Sequence, residues 1–263
     1  MKKALLVGIN DYPGTYNDLM GCVNDVNNMR DLLVSLFGFT PADISVSTDR
    51  EATTANILNG LNALVSGAKP GDLLVFHYSG HGSQVVDTNG DETDKLDEIL
   101  CPYDLDWKTK MIRDDDLMKI FEPVPPGVHI EVFLDSCHSG TGLKLMPGNN
   151  GSYRRPRFLA PPQDLMKLAS AIPVRTTRIK PAKVRVLWAG CRANQYASDA
   201  LIDGQYGGAF TTFLCNLVRQ AKGNICRKDL IKALQTEMKR AGFKQTPQLE
   251  AATKPKNGLF LST

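Results

Sequence analysis

Residues 73–82 read Leu73-Leu-Val-Phe-His-Tyr-Ser-Gly-His-Gly82, and this stretch decides the fold. It begins with a continuous apolar and β-branched run, which predicts a strand buried on both faces at Leu73–Tyr78. Five further runs of this kind, bounded by Gly, Pro, Asp or Lys, are Ala4–Ile9, Ile44–Ser47, Ile130–Leu134, Val184–Ala189 and Gly258–Ser262. We therefore predict six strands.

Segments with helical spacing lie between these strands. They are Asn24–Phe37, Thr53–Gly67, Asp114–Phe121, Gly208–Gln220 and Arg227–Ala241. Because strands alternate with helices, the sequence predicts a mainly parallel six-stranded sheet with helices on both faces. The predicted fold class is α/β, a three-layer α/β/α sandwich forming a single domain over residues 1–263.

The composition excludes several classes of protein. With 263 residues, of which 42% are hydrophobic and 22% charged, the chain is too apolar to be disordered. Its 31 basic and 28 acidic residues give a net charge of +3, which offers no basis for a nucleic-acid partner. No apolar run reaches the roughly 18–20 residues of a membrane span, so we expect no membrane association.

The cysteines are widely spaced and include no Cys-x-x-Cys pair. They are Cys22, Cys101, Cys137, Cys191, Cys215 and Cys226. A chain of this length can fold without disulfides, so we expect reduced thiols and a cytoplasmic location. Each thiol is then a candidate nucleophile.

Two predicted strands are followed by residues that carry chemistry. The strand at Leu73–Tyr78 leads to His81 and Gly82, and the strand at Ile130–Leu134 leads to Cys137. Carboxyl ends of parallel strands meet at one sheet edge, which predicts a Cys–His dyad. Cys137 is the candidate nucleophile and His81 the general base and acid. The N–H groups of Gly82 and Cys137 are candidate oxyanion donors.

Other interpretations of these residues exist. A buried thiol and a hydrogen-bonded histidine are common structural features, and taken alone this pair is weak evidence for catalysis. A zinc hydrolase is not favoured, because His77 and His81 lack the helical His-Glu-x-x-His pattern.

The sequence resembles the caspase-like cysteine peptidases of family C14, and within them the metacaspases. The resemblance lies in nine stretches that follow the family's order: 4–10, 21–25, 76–82, 90–94, 96–98, 112–117, 135–141, 187–199 and 207–211. It implies a caspase-type sandwich, with His81 and Cys137 as the catalytic pair. It also divides the chain into a large-subunit-like part (1–143), a basic loop (144–182) and a small-subunit-like part (183–263).

The resemblance further implies hydrolysis of protein or peptide substrates after Arg or Lys. Cys22, Asp25, Ser79 and Asp135 match the family's S1 pocket, which binds the P1 side chain. Carboxylates at the base of a pocket suit a cationic side chain, because an unpaired buried charge is costly. The other reading of Asp25 is a charge favoured at a helix N-terminus. The family resemblance also favours a monomer over a dimer.

Three acidic residues, Asp97, Asp114 and Asp115, align with the family's calcium ligands. Carboxylate oxygens are the ligands that calcium prefers. The fourth carboxylate is expected seven residues after the nucleophile, where this chain has Lys144. A lysine there removes a ligand and adds a positive charge, so we expect no required cofactor and keep modulation by calcium as an open alternative. The alternative for these residues is a solvated acidic loop and a helix N-terminus.

The basic loop at 144–182 carries many Arg and Lys residues and several prolines. We hypothesise that these basic residues include sites of self-cleavage, which would make it a processing region. The alternative is a solvated linker. For the whole chain, the rival hypothesis is a non-catalytic scaffold that binds basic peptides in the Asp25–Asp135 pocket.

Overall fold

The computed structural model describes residues 1–86, 96–137, 153–164 and 186–262. The strands are β1 (Lys2–Gly8), β2 (Ile44–Thr48), β3 (Leu73–Ser79), β4 (Gly82–Val86), β5 (Leu96–Leu100), β6 (Ile112–Arg113), β7 (His129–Asp135), β8 (Arg154–Pro156), β9 (Val186–Ala189), β10 (Ser198–Ile202), β11 (Gln205–Gly208) and β12 (Gln248–Ala251). The helices are α1 (Cys22–Phe37), α2 (Thr54–Val65), α3 (Asp114–Phe121), α4 (Ala209–Gln220), α5 (Arg227–Arg240) and α6 (Thr253–Asn257).

The main sheet has six strands in the order β12-β9-β7-β3-β1-β2. Five of them run parallel, and β12 pairs antiparallel with β9 at one edge. The two central strands, β3 and β7, are buried along their whole length. Their ends therefore meet inside the molecule, which positions the site described below.

Both faces of the main sheet are covered by helices. In β1, Leu5 and Val7 pack into one core with residues of α2 and α3, whereas Ala4 and Leu6 pack into a second core with residues of α1, α4 and α5. This alternation follows from the period of two along a strand. The predicted three-layer α/β/α sandwich is confirmed.

The sixth predicted strand is wrong. The segment at Gly258–Ser262 lies beside the start of α5, where Leu259 forms an isolated bridge with Cys226 and Phe260 is buried in the second core. Its apolar residues reflect that packing. The true edge strand is β12, in which only Leu249 is buried, so it lacks the continuous apolar run of a central strand.

Two small antiparallel sheets flank the carboxyl ends of the central strands. One has the order β4-β5-β6 and the other β11-β10-β8. Strand β8 lies within the basic loop at 144–182, much of which falls outside the described residues. None of the helices in the described part of the chain is both long and apolar enough to cross a membrane. None of the six cysteines forms a disulfide.

Candidate active site

The register of the central strands aligns the two predicted catalytic residues. Ser79 at the end of β3 pairs with Asp135 at the end of β7. His81 and Cys137 each follow two residues later, and both are buried. The backbone N–H groups of Gly82 and Cys137 both donate to the carbonyl oxygen of Arg157, at N···O distances of 3.0 and 3.2 Å. The two predicted oxyanion donors therefore converge on one oxygen atom.

The imidazole of His81 is held by a backbone carbonyl. Its Nε2 atom lies 2.7 Å from the carbonyl oxygen of Asn17, so Nε2 carries the proton and donates it. The other ring nitrogen, Nδ1, has no hydrogen-bond partner among the described residues. Burial lowers the pKa of His81 to about 4. The ring is therefore neutral near pH 7, with an unshared electron pair on Nδ1 that can accept a proton.

The thiol of Cys137 contacts the segment that leads into β10. Its Sγ accepts the backbone N–H of Ala197 at 2.7 Å and lies 3.4 Å from the carbonyl oxygen of that residue. A second thiol, Cys191, is close by, and its hydrogen bond with Cys137, followed by burial, raises its pKa well above the ordinary value. Cys191 therefore stays protonated and does not compete as a nucleophile.

A cluster of carboxylates lies beside this pair and surrounds the guanidinium of Arg157, which is fully buried. Nη2 of Arg157 donates to Asp25 Oδ2 at 2.7 Å and to Asp199 Oδ1 at 3.0 Å. Nη1 donates to Ser79 Oγ at 2.7 Å and lies 3.3 Å from Asp135 Oδ2. Three of the four predicted S1 residues thus contact one arginine.

Cys22, the fourth predicted S1 residue, is buried at the start of α1. Burial raises the pKa of its thiol, against the opposing effect of the Arg157 guanidinium. Cys22 therefore faces the cluster as a neutral thiol, and the carboxylates provide the negative charge.

The carboxylates are held in place by a second layer of donors. Thr211 donates its backbone N–H and its hydroxyl to Asp135 Oδ2, at 3.0 and 2.7 Å. His77 Nε2 in turn lies 3.2 Å from the Thr211 hydroxyl oxygen. The N–H of Gly208 donates to both oxygens of Asp25. A Cβ at Gly208 would overlap the Asp135 carboxylate and the Arg157 guanidinium, so only glycine fits.

Burial and the neighbouring charges together shift the pKa values of Asp25 and Arg157. Burial, with a further contribution from Asp135, raises the pKa of Asp25 to about 7, although Arg157 acts in the opposite direction. Burial disfavours the charge on Arg157, but the surrounding carboxylates outweigh it and raise its pKa further. The cluster therefore favours a permanent cation at its centre.

The backbone on both sides of Arg157 is extended across the site; we call residues 155–159 the cleft strap. Arg155 pairs with Asp199 between β8 and β10, and the N–H of Arg157 donates to the carbonyl of Ala197 at 3.0 Å. On the other side, the N–H of Leu159 donates to the carbonyl of Gly82 at 3.0 Å. A cleft of about 710 Å³ opens next to the strap, lined by Tyr16, Asn17, His81, Trp107 and Phe158, among others.

Comparisons with known proteins identify the family. The model of the metacaspase peptidase C14 domain matches residues 2–146. Metacaspase-1 of Cryptococcus neoformans is 34% identical over 95% of this chain and 62% of its own length, and metacaspase-1 of Ajellomyces capsulatus is 33% identical over 95% and 80%. The chain belongs to the metacaspase family of C14 cysteine peptidases. It spans less than two thirds of the Cryptococcus metacaspase.

Solved structures agree with the fold. A Geobacter sulfurreducens protein of known crystal structure has a TM-score of 0.71 and 26% identity, and covers 99% of this chain and 98% of its own. Caspase-1 of Spodoptera frugiperda has a TM-score of 0.61 and 14% identity over 95% of this chain and 86% of its own. The caspase-like fold of this metacaspase is therefore confirmed.

The three calcium ligands suggested by the resemblance lie in β5 and at the start of α3. Asp97 is in β5, where its carboxylate oxygen lies 3.0 Å from Arg113 Nε. Asp114 and Asp115 begin α3. Within the described ranges, no group of three or more His, Cys, Asp or Glu residues could hold a metal ion. Lys144 lies outside the described residues, and the assignment of these three carboxylates to calcium stays a prediction.

Several functional residues are missed by sequence reasoning. Asp199 completes the carboxylate cluster, and its oxygens also accept the N–H groups of Met20 and Gly21, at 2.9 and 3.0 Å. Asn17 orients His81 through a backbone carbonyl, which no side-chain pattern can reveal. Asp199 does have a weak signal, since it is an acidic residue within a stretch that resembles the family's small subunit.

Proposed function

We propose that this metacaspase is a cysteine endopeptidase that hydrolyses peptide bonds after Arg, and less efficiently after Lys. One observation carries the proposal. Arg157 lies in the site as a P1 residue does, with its guanidinium among three carboxylates and its carbonyl oxygen between the N–H groups of Gly82 and Cys137. A site that binds both the P1 side chain and the carbonyl of the bond to be cut holds that carbonyl in place for attack by Cys137.

The proposed reaction begins with transfer of the Cys137 proton to His81. The thiolate adds to the P1 carbonyl carbon, and the N–H groups of Gly82 and Cys137 stabilise the negative oxygen. His81 then donates its proton to the leaving nitrogen as the C–N bond breaks, which leaves a thioester on Cys137. A water molecule, deprotonated by His81, hydrolyses the thioester. The carbonyl of Asn17 keeps the imidazole in one orientation throughout.

The shape of the pocket supports the preference for Arg over Lys. Ser79 and Asp135 lie at one terminal nitrogen of the guanidinium, and Asp25 and Asp199 at the other. Arginine presents these nitrogens in a rigid planar fork, whereas the lysine ammonium is a single point of charge. Lysine therefore satisfies fewer carboxylates. An aspartate at P1 would place a further negative charge among these carboxylates and is rejected.

The test compares fluorogenic peptides with Arg, Lys or Asp at P1. We expect Cys137→Ala to lower kcat/KM for the Arg peptide by at least about 1,000-fold. The control, Cys226→Ala, changes a thiol at the start of α5 that bonds Asp229, and should match the wild type. Undiminished turnover by Cys137→Ala, or faster cleavage of Asp peptides, would refute the proposal. Tight binding of Arg peptides without turnover would favour the non-catalytic scaffold.

The proposed steps use only groups of a single chain. We propose a monomer as the active form, as the family resemblance favours. We propose that calcium is not required, because Asp97 is already paired with Arg113. The six free thiols support a reducing, cytoplasmic location.

A further inference from the structure

We infer that Tyr12 and Tyr78 are positioning residues that hold the backbone and the ring of His81 in place for its reaction with Cys137. The inference rests on the proposed function, because it concerns the same histidine. It goes beyond that function by assigning a role to two buried phenols that take no part in the proposed steps. We call these two residues the tyrosine clamp.

The main chain of His81 lies between two strands, since β3 ends at Ser79 and β4 begins at Gly82. The carbonyl of His81 accepts the backbone N–H of Cys101 at 3.0 Å, whereas its own N–H donates to no backbone carbonyl among the described residues. His81 is buried, and a buried N–H group without a hydrogen bond is costly. A partner for this N–H must therefore come from a side chain.

The two phenolic hydroxyls bond the main chain of His81 on both sides. The N–H of His81 donates to the Tyr12 hydroxyl oxygen at 2.9 Å, and the Tyr78 hydroxyl donates to the carbonyl of His81 at 2.7 Å. Both hydroxyls also lie near the carbonyl oxygen of Cys101, at 3.2 and 2.9 Å. Burial raises the pKa of both phenols well above the ordinary value, so each hydroxyl keeps its proton.

Tyr12 also contacts the imidazole itself. Its ring centre lies 4.8 Å from that of His81, with the two planes inclined at 54°. Further along the same segment, the carbonyl of Asn17 accepts the Nε2 proton of His81. The segment is closed by the N–H of Leu19, which donates to the carbonyl of Asn10 at 2.9 Å. One closed segment therefore holds the backbone N–H, the ring and one ring nitrogen of the histidine.

The residue before His81 shows how closely the two hydroxyls approach the main chain. A Cβ at Gly80 would lie 2.7 Å from the Tyr78 hydroxyl oxygen and 2.8 Å from that of Tyr12, so glycine leaves room for both. Both tyrosines pack in the apolar core beside α2 and α3, which a phenylalanine ring would fill equally well. The hydroxyls therefore contribute hydrogen bonds to His81 that packing alone does not require.

Fixing His81 affects the chemical step more than substrate binding. Proton transfer from Cys137 requires Nδ1 of His81 at a defined position, and a displacement of about 1 Å can cost about 100-fold in rate. The carboxylates that bind the P1 side chain are held by other donors, among them Thr211 and Gly208. Loss of a clamp hydroxyl should therefore lower kcat and leave KM nearly unchanged.

Steady-state kinetics of Tyr12→Phe and Tyr78→Phe test this assignment with an Arg-P1 peptide, per active site titrated to completion with an Arg-P1 electrophile. Each substitution removes one oxygen atom and keeps the ring. We expect kcat to fall by about 10- to 100-fold and KM to stay within about twofold. The control is Tyr103→Phe, the same change at a half-buried tyrosine after β5, which should match the wild type. An unchanged kcat, or a rise in KM alone, overturns the assignment for that tyrosine.

Alkylation by iodoacetamide separates this inference from the proposed function. The small reagent needs the Cys137 thiolate, and hence His81 as base, but no P1 residue. We expect the rate constant for alkylation of Cys137, located by peptide mapping, to fall by about 10-fold or more in both clamp variants and to stay unchanged in Tyr103→Phe.

The outcomes distinguish the two proposals. If the wild type hydrolyses no Arg peptide but Cys137 is alkylated more slowly in the clamp variants, the proposed function fails and the clamp stands. If Arg peptides are hydrolysed and neither kcat nor the alkylation rate changes in the clamp variants, the clamp is overturned and the proposed function stands.

Discussion

Asp199 provides the sharpest test of how the pocket recognises arginine. Its Oδ1 atom lies 3.0 Å from Arg157 Nη2, and both groups are fully buried. Two unit charges at this distance attract by about 5 kcal/mol at an effective dielectric constant of about 20. Asp199→Asn keeps an acceptor oxygen and removes the charge. We expect a net loss of about 2–3 kcal/mol, the usual value of a hydrogen bond to a charged group.

This loss corresponds to a decrease of about 30- to 150-fold in kcat/KM for Arg-P1 peptides. For Lys-P1 peptides kcat/KM should fall less, because the lysine ammonium cannot occupy the positions of both terminal guanidinium nitrogens. The ratio of kcat/KM for Arg-P1 to that for Lys-P1 peptides therefore decreases. Rates are normalised to active sites by titration with an Arg-P1 electrophile. The control is Asp203→Asn, the same substitution at an exposed turn residue with φ of 50°. A folded Asp199→Asn protein with unchanged kcat/KM and Arg-to-Lys ratio would refute the assigned role.

Two further predictions concern the layers around the pocket, and a third concerns calcium. Thr211→Val removes the hydroxyl between Asp135 and His77, and should lower the free energy of unfolding by about 1–2 kcal/mol and raise KM more than it lowers kcat; an unchanged KM would contradict this. Burial lowers the pKa of His77 from 6.5 to about 3. As the pH falls from 6.5 toward 3, the unfolded chain therefore binds a proton at His77 that the folded protein does not, and the folded protein loses stability. Urea unfolding measures this effect as the free energy of unfolding at each pH. Between pH 6 and pH 4 that free energy should fall less steeply for His77→Gln than for the wild type, by about 1.4 kcal/mol per pH unit. Parallel pH profiles for the two proteins would contradict this prediction. Arg-P1 hydrolysis should proceed equally in calcium and in a chelator, and loss of activity in the chelator would overturn this expectation.

The main sheet was predictable because its central strands are buried on both faces. A run such as Leu73–Tyr78 has no polar face, and this pattern is typical of strands between two helical layers. The edge strand β12 was not predictable, because only one of its residues, Leu249, is buried and the strand therefore has no apolar run. The apolar segment at Gly258–Ser262 was mistaken for a strand since burial against a helix gives the same composition.

From the residues alone, the site was predictable only where chemistry follows directly from a strand end, whereas Cys22 and Asp25 in α1 were predicted from the family resemblance. His81 and Cys137 occupy such positions, and the Ser79–Asp135 register aligns them. The role of Arg157 depends on contacts with residues far away in the sequence, including Asp25. Such long-range pairing leaves no local pattern, so the loop could be identified as basic but the one arginine in the cluster could not.

Labelling with an Arg-P1 peptidyl electrophile decides whether the thiol of Cys137 and the carboxylate cluster act together. The wild type is treated with this reagent or with its Asp-P1 counterpart, and the modified cysteine is located by peptide mapping. We expect one label per molecule, on Cys137, from the arginine reagent and almost none from the aspartate reagent. A label on Cys191 or another cysteine, or equal labelling by both reagents, would contradict the assignment of nucleophile and pocket.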